Sequence, residues 1–382
     1  MKKLLSSLLF AVVTTVFFNN SNQAQAAFNG IKRLEGADRF LTAVEISKEA
    51  FSADGSAAVV YLYNSDNPID ALSAVPLTQF DKTQDPAFGV SYQGPLLPVE
   101  HGTTITTEIA AEISRVSSLS AGNRVTILGG PNAVSSMVES QLTSQGHVVN
   151  RIAGLNRYGT AAEIASMIKS LVAPNVPDIF VVNGESIADA LAVSPLAASL
   201  TYTTDPSFNN YGDVILLTYK DAVPNESKVY INSQSGGTLT MVGGTSVISK
   251  PVAEQLAERH WGDPSNYSRF DGKDRFHTAR IIGDRFTDSG SSNMAFGVGL
   301  ANGLTMADAL PAGVLLAQQY MPLLLTSGEN INCDTARYVE RYELLFDRGY
   351  VFGGSAAVSV TAEDQLQSLT NGDTNAANLG CV

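Results

Sequence analysis

One motif occurs three times in this chain, at a fixed spacing. It reads "RLEGADRFLTAVEIS" from Arg33, "RIAGLNRYGTAAEIA" from Arg151 and "RFDGKDRFHTARII" from Arg269. Gly36, Gly154 and Gly272 are 118 residues apart, and Asp70, Asp189 and Asp308 are 119 apart. A period this long exceeds that of a solenoid unit, so each copy is large enough to bury a small core of its own.

Three further landmarks follow the motif in the same order in every copy. The first is Asn, then Asp-Ala-Leu six residues on: "NSDNPIDALSAVP" from Asn64, "NGESIADALAVSP" from Asn183 and "NGLTMADALPAG" from Asn302. The second is an apolar run, at Pro95, Val214 and Pro322. The third is "VTILGGPNAVS" at Val125, "LTMVGGTSVIS" at Leu239 and "GYVFGGSAAVS" at Gly349. Short β-rich runs (Val59–Tyr63, Val125–Leu128, Ile179–Val182) alternate with segments of helical spacing such as Thr103–Ser117 and Val252–Arg259. Strand and helix in alternation predict a parallel sheet covered by helices. Each copy is therefore expected to be an α/β module of Rossmann-like or flavodoxin-like type. The joints are short, and "HVVNRIAG" reads as a strand ending one copy and opening the next. Three touching copies suit a closed, intramolecular pseudo-threefold trimer.

The N-terminus reads as a targeting segment. Lys2 and Lys3 precede an apolar run from Leu4 to Phe18, and Ala24-Gln25-Ala26 fits a cleavage site. The run is shorter than the roughly 20 residues of a membrane span. The expected division is a signal peptide over 1–26 and repeats over 27–149, 150–267 and 268–382, with no membrane span in the mature chain. That chain would carry 22 basic and 37 acidic side chains, a net charge of −15. Such a balance argues against nucleic-acid binding, and means that an anionic partner must be held by local arginines. In an exported protein the two cysteines, Cys333 and Cys381, are expected to pair.

The recurring polar residues are the candidate site. Asp38, Asn156 and Asp274 share one position, and Asp and Asn interchange as helix N-caps. The glycines two residues before them suit a close backbone approach. Arg39, Arg157 and Arg275 recur, as do Arg33, Arg151 and Arg269, six of the fourteen arginines in the chain. A guanidinium is a planar fork for carboxylate or phosphate. Asp70, Asp189 and Asp308 stand where a strand hands over to a helix, the edge at which α/β sheets bind ligands. Two readings are open. Each arginine pairs with an aspartate of its own or the next copy, or the arginines present charge to an anionic polymer. Thr42, Thr160 and Thr278 either contact ligand or bond back to their helix. Asn64, Asn183 and Asn302 suit either a turn after a strand or a polar contact beside the site. Aromatic insertions with Phe88 and Tyr92 in copy one, and Phe208 and Tyr211 in copy two, are missing from copy three.

With R-x-x-G-x-[DN]-R-[FY]-x-T-A, D-A-L, the apolar run and the Gly-Gly element in order three times, the chain resembles the cell wall-binding repeat type 2 family. The resemblance covers nearly all of the mature chain. It implies Rossmann-like modules in a trimer and non-covalent attachment to anionic polymers of the bacterial wall. Asn156, Ile281 (where the others have Glu45 and Glu163) and Pro311 depart from the pattern.

The leading expectation is thus a secreted, non-enzymatic protein of the cell envelope, partnered by a wall polymer or polysaccharide and needing no cofactor or metal. The Gly-Gly pairs are neither G-x-G-x-x-G nor a P-loop, and H-E-x-x-H and G-x-S-x-G do not occur. An envelope hydrolase (amidase or glycosidase) and a structural surface-coat subunit are the alternatives.

Overall fold

The computed structural model describes residues 30–82, 90–172, 176–199, 213–288, 296–306 and 309–381. The expected signal peptide, Asp308, Phe88, Phe208 and Tyr211 lie outside the described residues.

Among the described residues the chain forms three parallel four-stranded sheets and one small antiparallel ribbon. In chain order the first repeat holds β1 (Ile31–Leu34), α1 (Arg39–Ala50), β2 (Val59–Asn64), the ribbon strands β3 (Asp81–Lys82) and β4 (Val90–Ser91), β5 (Leu96–Val99), α2 (Thr107–Val116), β6 (Arg124–Leu128) and α3 (Ser136–Ser144). The second holds β7 (Val148–Ile152), α4 (Arg157–Val172), β8 (Ile179–Asn183), α5 (Ile187–Ala198), β9 (Val214–Thr218), α6 (Asn225–Asn232), β10 (Leu239–Val242) and α7 (Lys250–Trp261). The third holds β11 (Ser268–Phe270), α8 (Arg275–Asp288), β12 (Gly297–Asn302), α9 (Ala309–Gln318), β13 (Leu323–Thr326), α10 (Cys333–Tyr342), β14 (Arg348–Phe352) and α11 (Val360–Thr370). Every residue of β8 (IFVVN) and β9 (VILLT) is buried. Apolar runs covered on both faces are what a parallel sheet between helices requires.

The strand orders are β5-β2-β6-β7, β9-β8-β10-β11 and β13-β12-β14-β1. In each sheet the last strand is the opening strand of another repeat. β7 continues the first repeat's sheet and β11 the second's, while β1 pairs with β14 of the third. The registers are equivalent: Arg151 lies beside Ile127, Arg269 beside Met241 and Arg33 beside Val351. The chain therefore closes on itself, as expected for a ring of three.

The Asp-Ala-Leu segments meet at the centre. A β-carbon placed on Gly313 would lie 2.9 Å from Ser194 Oγ and 3.3 Å from Val75. These are equivalent positions of the three repeats, each five residues after its aspartate. Only a residue without a side chain lets the third segment come this close. Around this axis α5 packs on α9 and on the 3₁₀ segment Pro76–Gln79 of the first repeat. Each opening helix also packs against the Asp-Ala-Leu segment of another repeat: α4 on the first, α8 on the second and α1 on the third. One buried apolar cluster runs through all three repeats, and a second fills the outer side of the third.

The third repeat is also fastened covalently. Cys333 at the start of α10 forms a disulfide with Cys381, as expected, and holds the C-terminal segment against the cluster around Tyr338.

Candidate functional site

The opening motif builds the start of each first helix. Asp38 Oδ1 accepts from the amides of Phe40 and Leu41, Asp274 Oδ1 from those of Phe276 and His277, and Asn156 Oδ1 from that of Gly159. These are N-caps, as read from the Asp/Asn exchange. The glycines before them let the backbone fold onto the helix. A β-carbon on Gly36, Gly154 or Gly272 would fall within 2.5 Å of the amide nitrogen of Thr42, Thr160 or Thr278. The three threonine hydroxyls bond back to the carbonyls of Asp38, Asn156 and Asp274, at 3.0, 3.3 and 3.1 Å.

The capped helices place Arg39, Arg157 and Arg275 at the carboxyl edge of the sheets. Each donates through Nη1 to one carbonyl, that of Ser65, Gly184 or Gly303, at 3.1, 2.9 and 2.6 Å. Each acceptor directly follows the recurring asparagine. The asparagines clamp the same edge. Asn64, Asn183 and Asn302 donate to the carbonyls of Ala133, Val247 and Ala357, beyond the Gly-Gly turns. Their Oδ1 atoms accept from the amides of Asp66, Glu185 and Leu304. They thus make both the turn and the polar contact that the sequence left open.

Asp70 and Asp189 face the arginines of the next repeat. Burial raises the Asp70 carboxyl, opposed by a hydrogen bond from Thr160 and by the charge of Arg157. Burial lifts Asp189 to about 6, opposed by Arg275. Arg157 and Arg275 each act on the preceding repeat's carboxylate through their field, while their hydrogen bonds go to their own repeat. The Gly-Gly turns cover these carboxylates. A β-carbon on Gly129 would be 2.8 Å from Asp70 Oδ2, and one on Gly243 2.7 Å from Asp189 Oδ2. Both glycines have φ near +100°, so the turn is closed to other residues by conformation and by space.

The second arginine set is engaged differently. Arg33 holds Glu363 through Nε and Nη2 at 2.9 and 2.7 Å, and the Gly353 carbonyl through Nη1. Arg151 holds Glu139 and the Gly129 carbonyl in the same way. Arg269 reaches the Gly243 carbonyl, but its Nη2 is buried without a hydrogen-bond partner among the described residues. Ala253 occupies the position of Glu139 and Glu363, four residues after the helix-capping serine. Two repeats therefore have a carboxylate here and one does not, which is why the sequence did not display it as a recurrence.

A cavity of about 470 Å³ opens at the first junction. Asn64 and Asp70 of one repeat, the turn at Gly130–Ala133, and Gly154, Arg157 and Thr160 of the next line it. Leu155, fully exposed, stands on its rim. Ala37 and Lys273 occupy that position in the other copies, so an apolar residue in an otherwise polar loop was a signal open to sequence reading. A smaller cavity of about 170 Å³ near the axis joins Arg39, Ser65 and Asp66 to Ile187 and Leu191 of the second repeat and Met306 and Leu310 of the third.

The comparisons with known proteins bear on this edge. The sequence profile described as cell wall binding domain 2 (CWB2) matches residues 33–139, 151–253 and 269–363. The chain belongs to the cell wall binding domain 2 family. Its three matches coincide with the three tandem repeats, and membership supports a cell-wall-binding role. The chain is similar to N-acetylmuramoyl-L-alanine amidase LytC of Bacillus subtilis (strain 168), 30% identical over 91% of this chain and 60% of that protein. It is also similar to an amidase enhancer of the same organism, 26% identical over 87% of this chain and 40% of the other. Among solved structures, Cwp8 from Clostridium difficile superposes with a TM-score of 0.71 at 26% identity, over 96% of this chain and 55% of that one. Cwp6 from the same organism gives 0.71 at 23% identity, over 90% and 50%, a likeness of fold. The chain thus spans 40–60% of the length of these proteins. No helix among the described residues is long and apolar enough to cross a membrane.

Proposed function

We propose that this is a secreted, non-enzymatic protein that attaches non-covalently to the bacterial cell envelope by binding anionic wall polymers at its repeat junctions. Arg39, Arg157 and Arg275 contact the polymer's anionic groups, and the carboxylates of Asp70, Asp189 and Asp308 set how much positive charge each junction offers. Arg33, Arg151 and Arg269 hold the Gly-Gly turns that wall the junctions. The observation that supports this reading is the cavity at the first junction, where Arg157 faces Asp70 across two repeats. A guanidinium at the mouth of a polar cleft, with one hydrogen bond to protein, keeps donors for a phosphate or carboxylate.

Cosedimentation tests it. Intact walls should pull the protein down, and walls stripped of their accessory anionic polymers should not. Replacement of Arg39, Arg157 and Arg275 by alanine should weaken retention with the fold intact. Release of soluble fragments from purified peptidoglycan would favour a hydrolase instead, and ordered self-assembly without wall material a surface coat.

A further inference from the structure

A second cavity of the first repeat lies at the opposite edge of its sheet from the junctions. Its volume is about 750 Å³, within the roughly 300–1,000 Å³ range of small-molecule sites. Apart from Ile105, Ala110 and Ile113, its lining comes from segments that lead into strands: Asp54–Gly55 before β2, the end of α2 with the loop to β6 (Ser114–Asn123), and the end of α3 with the turn before β7 (Leu142, Gln145 and His147). A strand of five residues separates the two edges by about 17 Å.

The lining has a definite chemistry. Ser117, Ser118, Ser120, Asn123, Gln145 and His147 supply hydroxyl, amide and imidazole groups. Ser117 is 8% exposed, and its Oγ has no hydrogen-bond partner among the described residues. The Ser118 and Ser120 hydroxyls lie 2.9 Å apart, one donating to the other. Asn123 is held in the left-handed region at φ 52° by its amide bond to the Ser118 carbonyl, which closes the loop around these serines. His147 Nδ1 donates to the Asn123 carbonyl at 3.3 Å, since a carbonyl can only accept.

Charge does not select the ligand here. The one cation in the lining, Arg115, is held by Glu112 at 2.7 Å, by the Phe51 carbonyl at 2.9 Å and by Asp54 at 3.5 Å. Leu119 is 85% exposed at the rim and adds an apolar wall. Hydroxyl and amide partners beside one apolar face, with the only lining guanidinium already paired to two carboxylates, match the alternating O–H and C–H surfaces of an uncharged sugar ring. We infer that this cavity is a second binding site, for an uncharged saccharide of one or two rings, separate from the junctions.

The test uses saturation-transfer NMR on the intact protein, with maltose and N,N′-diacetylchitobiose as uncharged probes. Transfer to the ring protons of at least one probe is expected. Leu119→Asp and Ser120→Trp should each weaken binding about tenfold or more, and Arg157→Ala should leave it unchanged. Both rim side chains are exposed, so the variants should keep the wild-type melting temperature, and Leu119→Asp alters only a solvated group. Lack of transfer from both probes, transfer that survives Leu119→Asp, or transfer abolished by Arg157→Ala would each overturn the inference.

Discussion

Arg33 and Glu363, 330 residues apart in sequence, form a two-pronged ion pair at 2.9 and 2.7 Å. The pair ties the first strand to the last helix of the third repeat. Both side chains are largely buried, so removing one leaves the other without its partner. Glu363→Ala should cost about 1–3 kcal/mol, read as a lower denaturant midpoint. An unchanged midpoint would show that the pair holds nothing.

The second repeat lacks this carboxylate, and Arg269 Nη2 is left buried without a hydrogen-bond partner among the described residues. Ala253→Glu should supply the missing acceptor and raise stability by about 1 kcal/mol. Paired with Arg269→Ala in a double-mutant cycle, the gain should vanish.

Asp189 is raised to about 6 by burial. The folded state then binds its proton more tightly than the unfolded chain. This group's contribution is full below the ordinary carboxylate range and is lost as pH rises through about 6, a change on the order of 3 kcal/mol. Stability measured from pH 4 to 7 should fall less steeply in Asp189→Asn than in the wild type. On the proposed function, neutralising Asp189 also frees Arg275, so wall retention should strengthen as pH drops through 6, and the variant should lose that dependence.

The three arginines should contribute unequally to retention. Asp66 lies close enough to Arg39 for the two charges to interact, whereas the exposed Leu304 occupies that position in the third repeat. Arg275→Ala should therefore reduce wall binding more than Arg39→Ala in matched cosedimentation titrations. Equal losses would count against local charge as the determinant.

Reduction of the Cys333–Cys381 disulfide should loosen the C-terminal segment. The bond closes a loop with a sequence separation of 48, for which chain entropy gives about 3–4 kcal/mol. Cys381→Ser should lower the melting temperature and expose residues 371–381 to proteolysis.

Much of this architecture was legible in the recurrence. The glycines announced a close backbone approach, the Asp/Asn exchange announced caps, and the hydrophobic runs announced parallel strands. Each depends on residues within a few positions of one another. The partner of Arg33 was not legible, because Glu363 is distant in sequence and Ala253 breaks its recurrence. Nor did the spacing tell Arg39 from Arg33. Both repeat equally well, yet one stands at an open edge and the other is enclosed by a turn. That difference arises from which strand lies beside which, something a period of 118 leaves open.

The pairing of β1 with β14 has a kinetic meaning. Arg33 sits beside Val351, a contact spanning 318 residues. During synthesis the first repeat's opening strand must wait, with its edge unmated, until β14 of the third repeat has emerged. Contacts of such long range are slow to form, so docking of β1 should be the last event in folding, and the interval before it is when another molecule's strand can take that place.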